Sequence, residues 1–221
     1  MRVFSNLAFL VFLVALICGK SAEAANPDAR EILRTIFTAD IESVLALSAA
    51  PEHLRSQATI FVYGTSGYAK YRDGTNGITC LLNRDGFFYG SSAFKPTCWD
   101  SEGATSYVPV MLEVGRLLAD GKDTNSIKAE IDAGFRTGRF HRPKRTGIAY
   151  MLTGDVNLDI KSGKVLQNAF PGHYMIYAPG VSGTDIGYSA EAAKQDGSLP
   201  FIFAGGAGGS ELAYLIAVPH H

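Results

Sequence analysis

Apolar and polar residues alternate in several short segments that are bounded by glycine and proline. The clearest segment is 171–180, where Pro-Gly pairs flank six residues rich in aromatic and aliphatic side chains. A period of two predicts a β-strand whose neighbouring side chains point to opposite faces. The two faces would carry His173, Met175 and Tyr177 on one side, and Tyr174, Ile176 and Ala178 on the other.

Further strand-like segments occur on both sides of this one. They cover residues 58–63, 67–72, 78–83, 147–152, 156–161, 164–169, 201–204 and 212–218. Turns rich in glycine separate them, so we expect successive strands to pair as antiparallel hairpins. The glycine-rich loop 205–209 predicts a flexible hairpin tip, because the Lys-Ser/Thr pair and the helix of a phosphate-binding loop are missing.

Three segments show helical spacing instead. Residues 26–50 predict one amphipathic helix that ends before Pro51. Its apolar face would consist of Ile32, Ile36, Ala39, Val44 and Leu47. Residues 109–120 and 124–136 predict a helical hairpin with Gly121 at the end of its first helix.

These elements predict an α+β fold. Its antiparallel sheet would combine the N-terminal meander with the C-terminal strands, and the first helix and the helical hairpin would pack on one face. A doubly wound parallel sheet is disfavoured, because turns and not crossover helices separate the strands. Residues 25–221 are expected to form a single globular domain, since their number suits one hydrophobic core.

The first 24 residues predict a cleaved signal peptide. Arg2 provides the positive charge, residues 7–17 are uninterruptedly apolar, and Ala22-Glu23-Ala24 places small residues where signal peptidase requires them. Bulky Ile17 argues against lipid attachment at Cys18. We therefore expect export to the periplasm or the extracellular space, without stable insertion into a membrane.

Two cysteines, Cys80 and Cys98, remain after the signal peptide is removed. An exported chain folds under oxidising conditions, so a disulfide between them is the first expectation. A metal-binding pair or a reactive thiol is the alternative, although neither a CxxC spacing nor a nearby histidine supports it.

Charge and aromatic content indicate which partners to expect. The formal net charge is −1, with 20 Lys and Arg against 21 Asp and Glu, which predicts no nucleic-acid partner. A basic loop that contains Arg142 and Arg145 could hold an anionic group such as a phosphate, an acidic glycan or a lipid headgroup. Aromatic side chains such as Tyr150 and Tyr177, together with Met175, could contact a ligand, although strands also use such residues for packing.

His173 is the candidate catalytic residue, because imidazole titrates near neutral pH. Ser182 and Asp185 follow its strand and could complete a hydrolase triad, although Ser182 lacks the glycine pattern of a nucleophile elbow. A metal site is the other reading, in which His141 and His173 would join acids such as Asp155 or Asp185. The structural alternative is that His173 has no role in a site and is a hydrogen-bonded residue of a half-buried strand.

Several sequence runs together resemble a family of exported bacterial proteins whose activity is uncharacterised. They are Ala49-Ala50-Pro51-Glu52-His53-Leu54, Gly74-Thr75-Asn76-Gly77-Ile78-Thr79-Cys80-Leu81, Pro96-Thr97-Cys98-Trp99-Asp100, Gly147-Ile148-Ala149-Tyr150-Met151-Leu152 and Pro171-Gly172-His173-Tyr174-Met175-Ile176-Tyr177-Ala178-Pro179. The resemblance implies export and a bacterial origin, and it transfers no activity, cofactor or catalytic residue. Gly172 departs from the pattern, in which histidine directly follows proline.

The sequence thus leaves three classes of function open. The first expectation is an exported protein that binds a small or polymeric ligand, because no reactive constellation is evident. A hydrolase that uses His173 with Ser182 and Asp185 is the second, and a histidine and carboxylate metal site is the third. The sequence identifies no cofactor.

Overall fold

The computed structural model describes residues 28–219, so the predicted signal peptide, its cleavage site and the two C-terminal histidines lie outside the described residues. The strands are β1 (Thr59–Gly64), β2 (Gly67–Arg72), β3 (Thr79–Asn83), β4 (Lys95–Trp99), β5 (Ile148–Met151), β6 (Asp155–Leu158), β7 (Val165–Phe170), β8 (His173–Tyr177), β9 (Phe201–Phe203) and β10 (Tyr214–Ala217). Eight of them form one sheet in the order β2-β1-β3-β4-β5-β8-β10-β9, and β6 and β7 form a separate hairpin. The α+β prediction is confirmed.

The helices are α1 (Ala29–Leu33), α2 (Ala39–Leu47), α3 (Glu52–Arg55), α4 (Ser101–Ala119), α5 (Thr124–Arg136) and α6 (Ala190–Gln195). Single 3-10 turns occupy Asp85–Tyr89, Thr184–Ile186 and Gly209–Leu212. Helix α5 has the bounds that its sequence predicts. Helix α4 begins earlier than predicted, because the Asp100 carboxylate accepts a hydrogen bond from Gly103 N and caps the helix there. No helix among residues 28–219 is long and apolar enough to cross a membrane.

The single helix predicted over residues 26–50 is wrong. The chain leaves the helical conformation between α1 and α2, and the Thr38 hydroxyl caps α2 by accepting a hydrogen bond from Ile41 N. This break changes which side chains face the core. Ile36 and Val44 are 50% and 69% exposed, whereas Leu33 is fully buried.

The predicted N-terminal meander is also wrong. Strand β2 pairs with β1 and forms one edge of the sheet, while β3 pairs with β1 in parallel. The connection between β2 and β3 folds back across the start of β1, where Gly74 N donates a hydrogen bond to the Thr59 hydroxyl. Every other neighbouring pair in the large sheet is antiparallel, including the predicted hairpin of β9 and β10.

The helices cover both faces of the sheet, and not one face as the sequence suggested. Cys98 packs near α2, with its sulfur 3.4 Å from the Ala46 carbonyl oxygen. Trp99, the next residue of β4, lies against Gly103 of α4. Because neighbouring residues of a strand point to opposite faces, α2 and α4 lie on opposite sides of β4.

A fully buried ion pair fixes the α1–α2 region to the sheet. Arg84 donates hydrogen bonds to both carboxylate oxygens of Glu42, at 2.7 and 2.9 Å, and neither side chain is exposed. The guanidinium also donates to the carbonyl oxygens of Leu33 and Leu82, and it stacks 4.3 Å from the centre of the Tyr63 ring. Each charge is therefore compensated, as burial requires.

Candidate functional site

A cavity of about 330 Å³ is lined by residues from both halves of the chain, between Asn83 and Ile216. The α4-covered face of the sheet, the β6–β7 hairpin, the 3-10 turn after β3 and the glycine-rich loop before β10 enclose it. Its apolar walls consist of Trp99, Tyr107, Met111, Met151, Phe170, Met175, Phe201, Phe203, Leu212, Tyr214 and Ile216. Its volume is typical of the lower end of small-molecule sites.

Strand alternation explains which side chains reach this cavity. In β4, Lys95, Thr97 and Trp99 point inward, and in β8 His173 and Met175 do so. The predicted faces of the His173 strand are therefore confirmed: His173, Met175 and Tyr177 are buried and the residues between them are half-buried.

The glycine-rich loop 205–209 is part of the cavity wall and not a free hairpin tip. Gly206, Ala207 and Gly208 line the cavity, and Ala207 N donates a hydrogen bond of 3.4 Å to Asp85. A β-carbon on Gly206 would lie 2.7 Å from the Asp85 carboxylate. The absence of side chains thus allows the loop to approach this acid closely.

Lys95 and Asp85 form an ion pair inside the cavity wall, with side chains 7% and 5% exposed. Lys95 Nζ also donates a hydrogen bond of 2.9 Å to the Tyr89 hydroxyl. Burial by itself would lower the pKa of Lys95, but the attractions of Asp85, Tyr89 and Asp155 together outweigh burial and raise that pKa overall. Lys95 therefore remains charged, and its charge is largely neutralised by Asp85.

Asp155, at the start of β6, is the second acid of the cavity. Its carboxylate has no hydrogen bond or ion pair with any of the residues 28–219. Burial raises its pKa from 3.8 to about 6, although the Lys95 charge opposes the rise. The folded protein thus holds an acid in surroundings that stabilise its charge poorly.

His173, at the start of β8, also lines the cavity and is only 3% exposed. Its Nδ1 atom is 2.8 Å from the Pro171 carbonyl oxygen, which can only accept, so Nδ1 carries the proton. Nε2 is left with its lone pair and makes no hydrogen bond with any described residue. Burial lowers the pKa of His173, the hydrogen bond to Pro171 opposes this shift in part, and the nearby Lys95 charge adds to it. The net lowering of the pKa favours the neutral ring at neutral pH.

Gly172 directly precedes β8, the strand that begins at His173. A β-carbon at this position would lie 2.3 Å from the Leu152 carbonyl oxygen, so only glycine fits. The close approach holds the turn before β8 against the turn after β5. The glycine that interrupts the expected Pro-His pattern therefore has a structural reason.

The five candidate ligand-binding residues are not brought together. Met175 lines the cavity, whereas the Tyr177 hydroxyl donates to Asp100 at 2.8 Å, beneath α4. Tyr150 packs edge to face on Tyr174, with ring centres 6.1 Å apart. The basic loop lies outside the cavity, where Arg142 pairs with Glu211 at 2.8 Å and Arg145 pairs with Glu102 at 2.9 Å.

Ser182 and Asp185 are brought together, but not with His173. The Ser182 hydroxyl donates to the Asp185 carboxylate at 2.7 Å, and Ser182 N donates to the same oxygen at 2.8 Å. Both bonds belong to an exposed local turn. The imidazole is oriented by Pro171 instead of Asp185, so no hydrogen-bonded triad is formed in this structure.

The two cysteines are joined. Cys80 of β3 faces Cys98 of β4 in the antiparallel register, and a disulfide connects them across Cα atoms that are 4.0 Å apart. The disulfide prediction is confirmed, and the bond links two neighbouring strands of the sheet. Among residues 28–219, no group of three or more His, Cys, Asp or Glu side chains is placed to hold a metal ion.

Sequence reasoning missed Lys95, Asp85 and Tyr89, and it named Asp155 only as a metal-ligand candidate. A lysine inside a short strand normally indicates a solvent-exposed position. The available signal was the flanking sequence, since Ala93-Phe94 and Cys98-Trp99 surround Lys95 with residues typical of a core.

Comparison with models of protein families, with curated proteins and with solved structures finds no match to this chain. The function must therefore be argued from the geometry of the cavity.

Proposed function

We propose that this protein is an exported binding protein that holds a small, largely apolar molecule in the cavity between β8, β10 and the β6–β7 hairpin. The observation that carries the proposal is a cavity of about 330 Å³ with aromatic walls and polar groups at one end. Apolar walls supply affinity by removing ligand surface from water, and a few buried polar groups determine its orientation.

The polar end supports binding more directly than catalysis. Asp155 and the Nε2 atom of His173 lack hydrogen-bond partners among the described residues, so both can accept hydrogen bonds from a ligand. Asp155 is half-buried and His173 lines the same cavity, so a bound molecule can reach both groups.

Export is supported by the sequence of the first 24 residues and by the Cys80–Cys98 disulfide, which is typical of oxidising compartments. The mass of the protein recovered from an oxidising compartment tests this part of the proposal. Cleavage after Ala24 is expected, and a mass that includes residues 1–24 would contradict it.

Binding can be measured through Trp99, the only tryptophan of the chain, which lines the cavity. Phenyl compounds of increasing size, neutral and charged, are titrated while tryptophan fluorescence is recorded. We expect at least one compound to change the fluorescence saturably.

A matched pair of variants locates the binding. Ala169 is exposed and lines the cavity, whereas Gln167 is exposed on the same strand and does not. Ala169→Phe should weaken binding by about tenfold or more, and Gln167→Phe should leave it unchanged. The proposal is wrong if no compound binds, or if both variants bind as the unmodified protein does.

A further inference from the structure

The charges that line the cavity do not cancel. Its acidic and basic side chains, apart from tyrosines, are Asp85, Lys95, Asp155 and His173 in the part of the chain that the structure describes. Lys95 and Asp85 neutralise each other as an ion pair, and burial favours the neutral imidazole of His173. One negative charge remains at neutral pH, on Asp155.

Asp155 and His173 are both neighbours of Phe170. Asp155 is paired with Phe170 across β6 and β7. The Phe170 ring in turn meets the His173 ring edge to face, with ring centres 5.0 Å apart. This end of the cavity therefore offers a carboxylate and an imidazole lone pair, and a ligand must supply the hydrogen-bond donors.

Aromatic rings around this end also favour a positive charge. Lys95 Nζ already lies 4.9 Å from the centre of the Tyr89 ring and 6.0 Å from the centre of the Phe203 ring. The faces of aromatic rings attract cations, and the attraction is stronger where water is excluded. Phe170 and Phe201 extend the same aromatic wall.

An anionic ligand fits this arrangement poorly. Its carboxylate would lie close to the uncompensated charge of Asp155, and the positive charge of Lys95 is already paired with Asp85. A neutral ligand could satisfy the two acceptors but would leave the charge of Asp155 unpaired. A protonated amine both donates hydrogen bonds and neutralises that charge.

We propose that the cavity takes a small organic amine in its protonated form. The ammonium group would lie against Asp155, and the apolar body would lie among the aromatic rings. This inference rests on the proposed function, since it names the ligand class of the same cavity.

Three probes with one skeleton test it: 2-phenylethylamine, 2-phenylethanol and 3-phenylpropanoate. Their affinities are measured on the whole exported protein by Trp99 fluorescence and by calorimetry. We expect the amine to bind at least about tenfold more tightly than the alcohol, and the carboxylate to bind more weakly than either.

Variants assign the preference to one side chain. Asp155→Asn should reduce the preference for the amine over the alcohol to about twofold or less, while alcohol binding persists. Asp132→Asn, which removes an exposed carboxylate on α5, should leave the preference unchanged. Circular dichroism of each variant shows that it is folded.

The pH dependence of the unmodified protein gives an independent measurement. The titratable groups whose charges interact with that of Asp155 are Lys95, Asp85 and Tyr89, and His173 lines the same cavity. Protonation of Asp155, with a pKa of about 6, should weaken amine binding about tenfold between pH 7.5 and pH 5 and leave alcohol binding nearly constant. His173→Gln separates any contribution from imidazole protonation, since the variant should keep most of the pH dependence.

The outcomes distinguish this inference from the proposed function. Equal binding of amine and alcohol, or preference for the carboxylate, overturns the amine inference and leaves a cavity that binds small molecules. An amine preference that survives Asp155→Asn also overturns the inference. Failure of all three probes to bind overturns the amine inference, and failure of the wider phenyl panel overturns the proposed function as well.

Discussion

Asp155→Asn should make the folded protein more stable at neutral pH. The carboxyl lies in the cavity wall without a hydrogen-bond partner among the described residues, and burial raises its pKa from 3.8 to about 6. The folded state therefore binds the proton more tightly than the unfolded state does. The stability penalty is absent below about pH 3.8, grows as pH rises, and is complete above about pH 6.

The size of the penalty follows from the same pKa values. A rise from 3.8 to about 6 corresponds to about 3 kcal/mol, at 1.36 kcal/mol for each pKa unit. Asparagine is neutral and close in shape to the protonated acid. We expect Asp155→Asn to unfold like the unmodified protein near pH 3.5, and to be up to about 3 kcal/mol more stable at pH 7.

Urea denaturation of both proteins from pH 3.5 to pH 8 measures this difference. Asp132→Asn is the matched control, because Asp132 is exposed and pairs with Lys128 at 2.8 Å. Its removal should lower the stability by about 0.5 kcal/mol or less. A loss of stability in Asp155→Asn at pH 7, or a difference that does not change with pH, would refute the reasoning.

Three further predictions concern the framework around the cavity. Arg84→Met should lower the free energy of unfolding, measured by urea denaturation, by about 3–5 kcal/mol, because it leaves Glu42 charged and buried. The double variant Arg84→Met with Glu42→Leu should lose less stability than Arg84→Met alone, and an equal or larger loss would contradict this account. Replacement of Cys80 and Cys98 by alanine should lower the free energy of unfolding by about 3 kcal/mol, and a reducing agent should lower the thermal midpoint of the unmodified protein to nearly that of the variant. A reducing agent that does not change the thermal midpoint would argue against the disulfide. Gly172→Ala should lower the free energy of unfolding by about 1–3 kcal/mol, because its β-carbon would lie 2.3 Å from the Leu152 carbonyl oxygen. The control Gly197→Ala should hardly change the stability, because its β-carbon meets no atom within 4 Å. Equal stabilities of the two variants would show that the close approach at Gly172 is not needed.

Local patterns in the sequence predicted those parts of the fold that depend on neighbouring residues. The bounds of α5, the hairpin of β9 and β10 and the inward face of His173 and Met175 all follow from periodicity and from glycine turns. The break between α1 and α2 was missed, although Thr38 is a preferred residue at the start of a helix. Apolar spacing that continued across the break concealed it.

Strand order and the polar end of the cavity depend on contacts that the local pattern does not contain. The parallel pairing of β1 with β3 follows from how the connection after β2 crosses β1, and periodicity says nothing about that path. Lys95 is buried because Asp85 approaches it from the turn before β4. Only the folded chain brings these residues together with Asp155 and His173, which come from other parts of the sequence.

A crystal structure of the protein soaked with 2-phenylethylamine tests the central claim most directly. The account predicts that the amine occupies the cavity, with its nitrogen within hydrogen-bond distance of the Asp155 carboxylate and its ring among Phe170, Phe201 and Phe203. An empty cavity at a saturating concentration, or the amine bound only elsewhere on the surface, would contradict it.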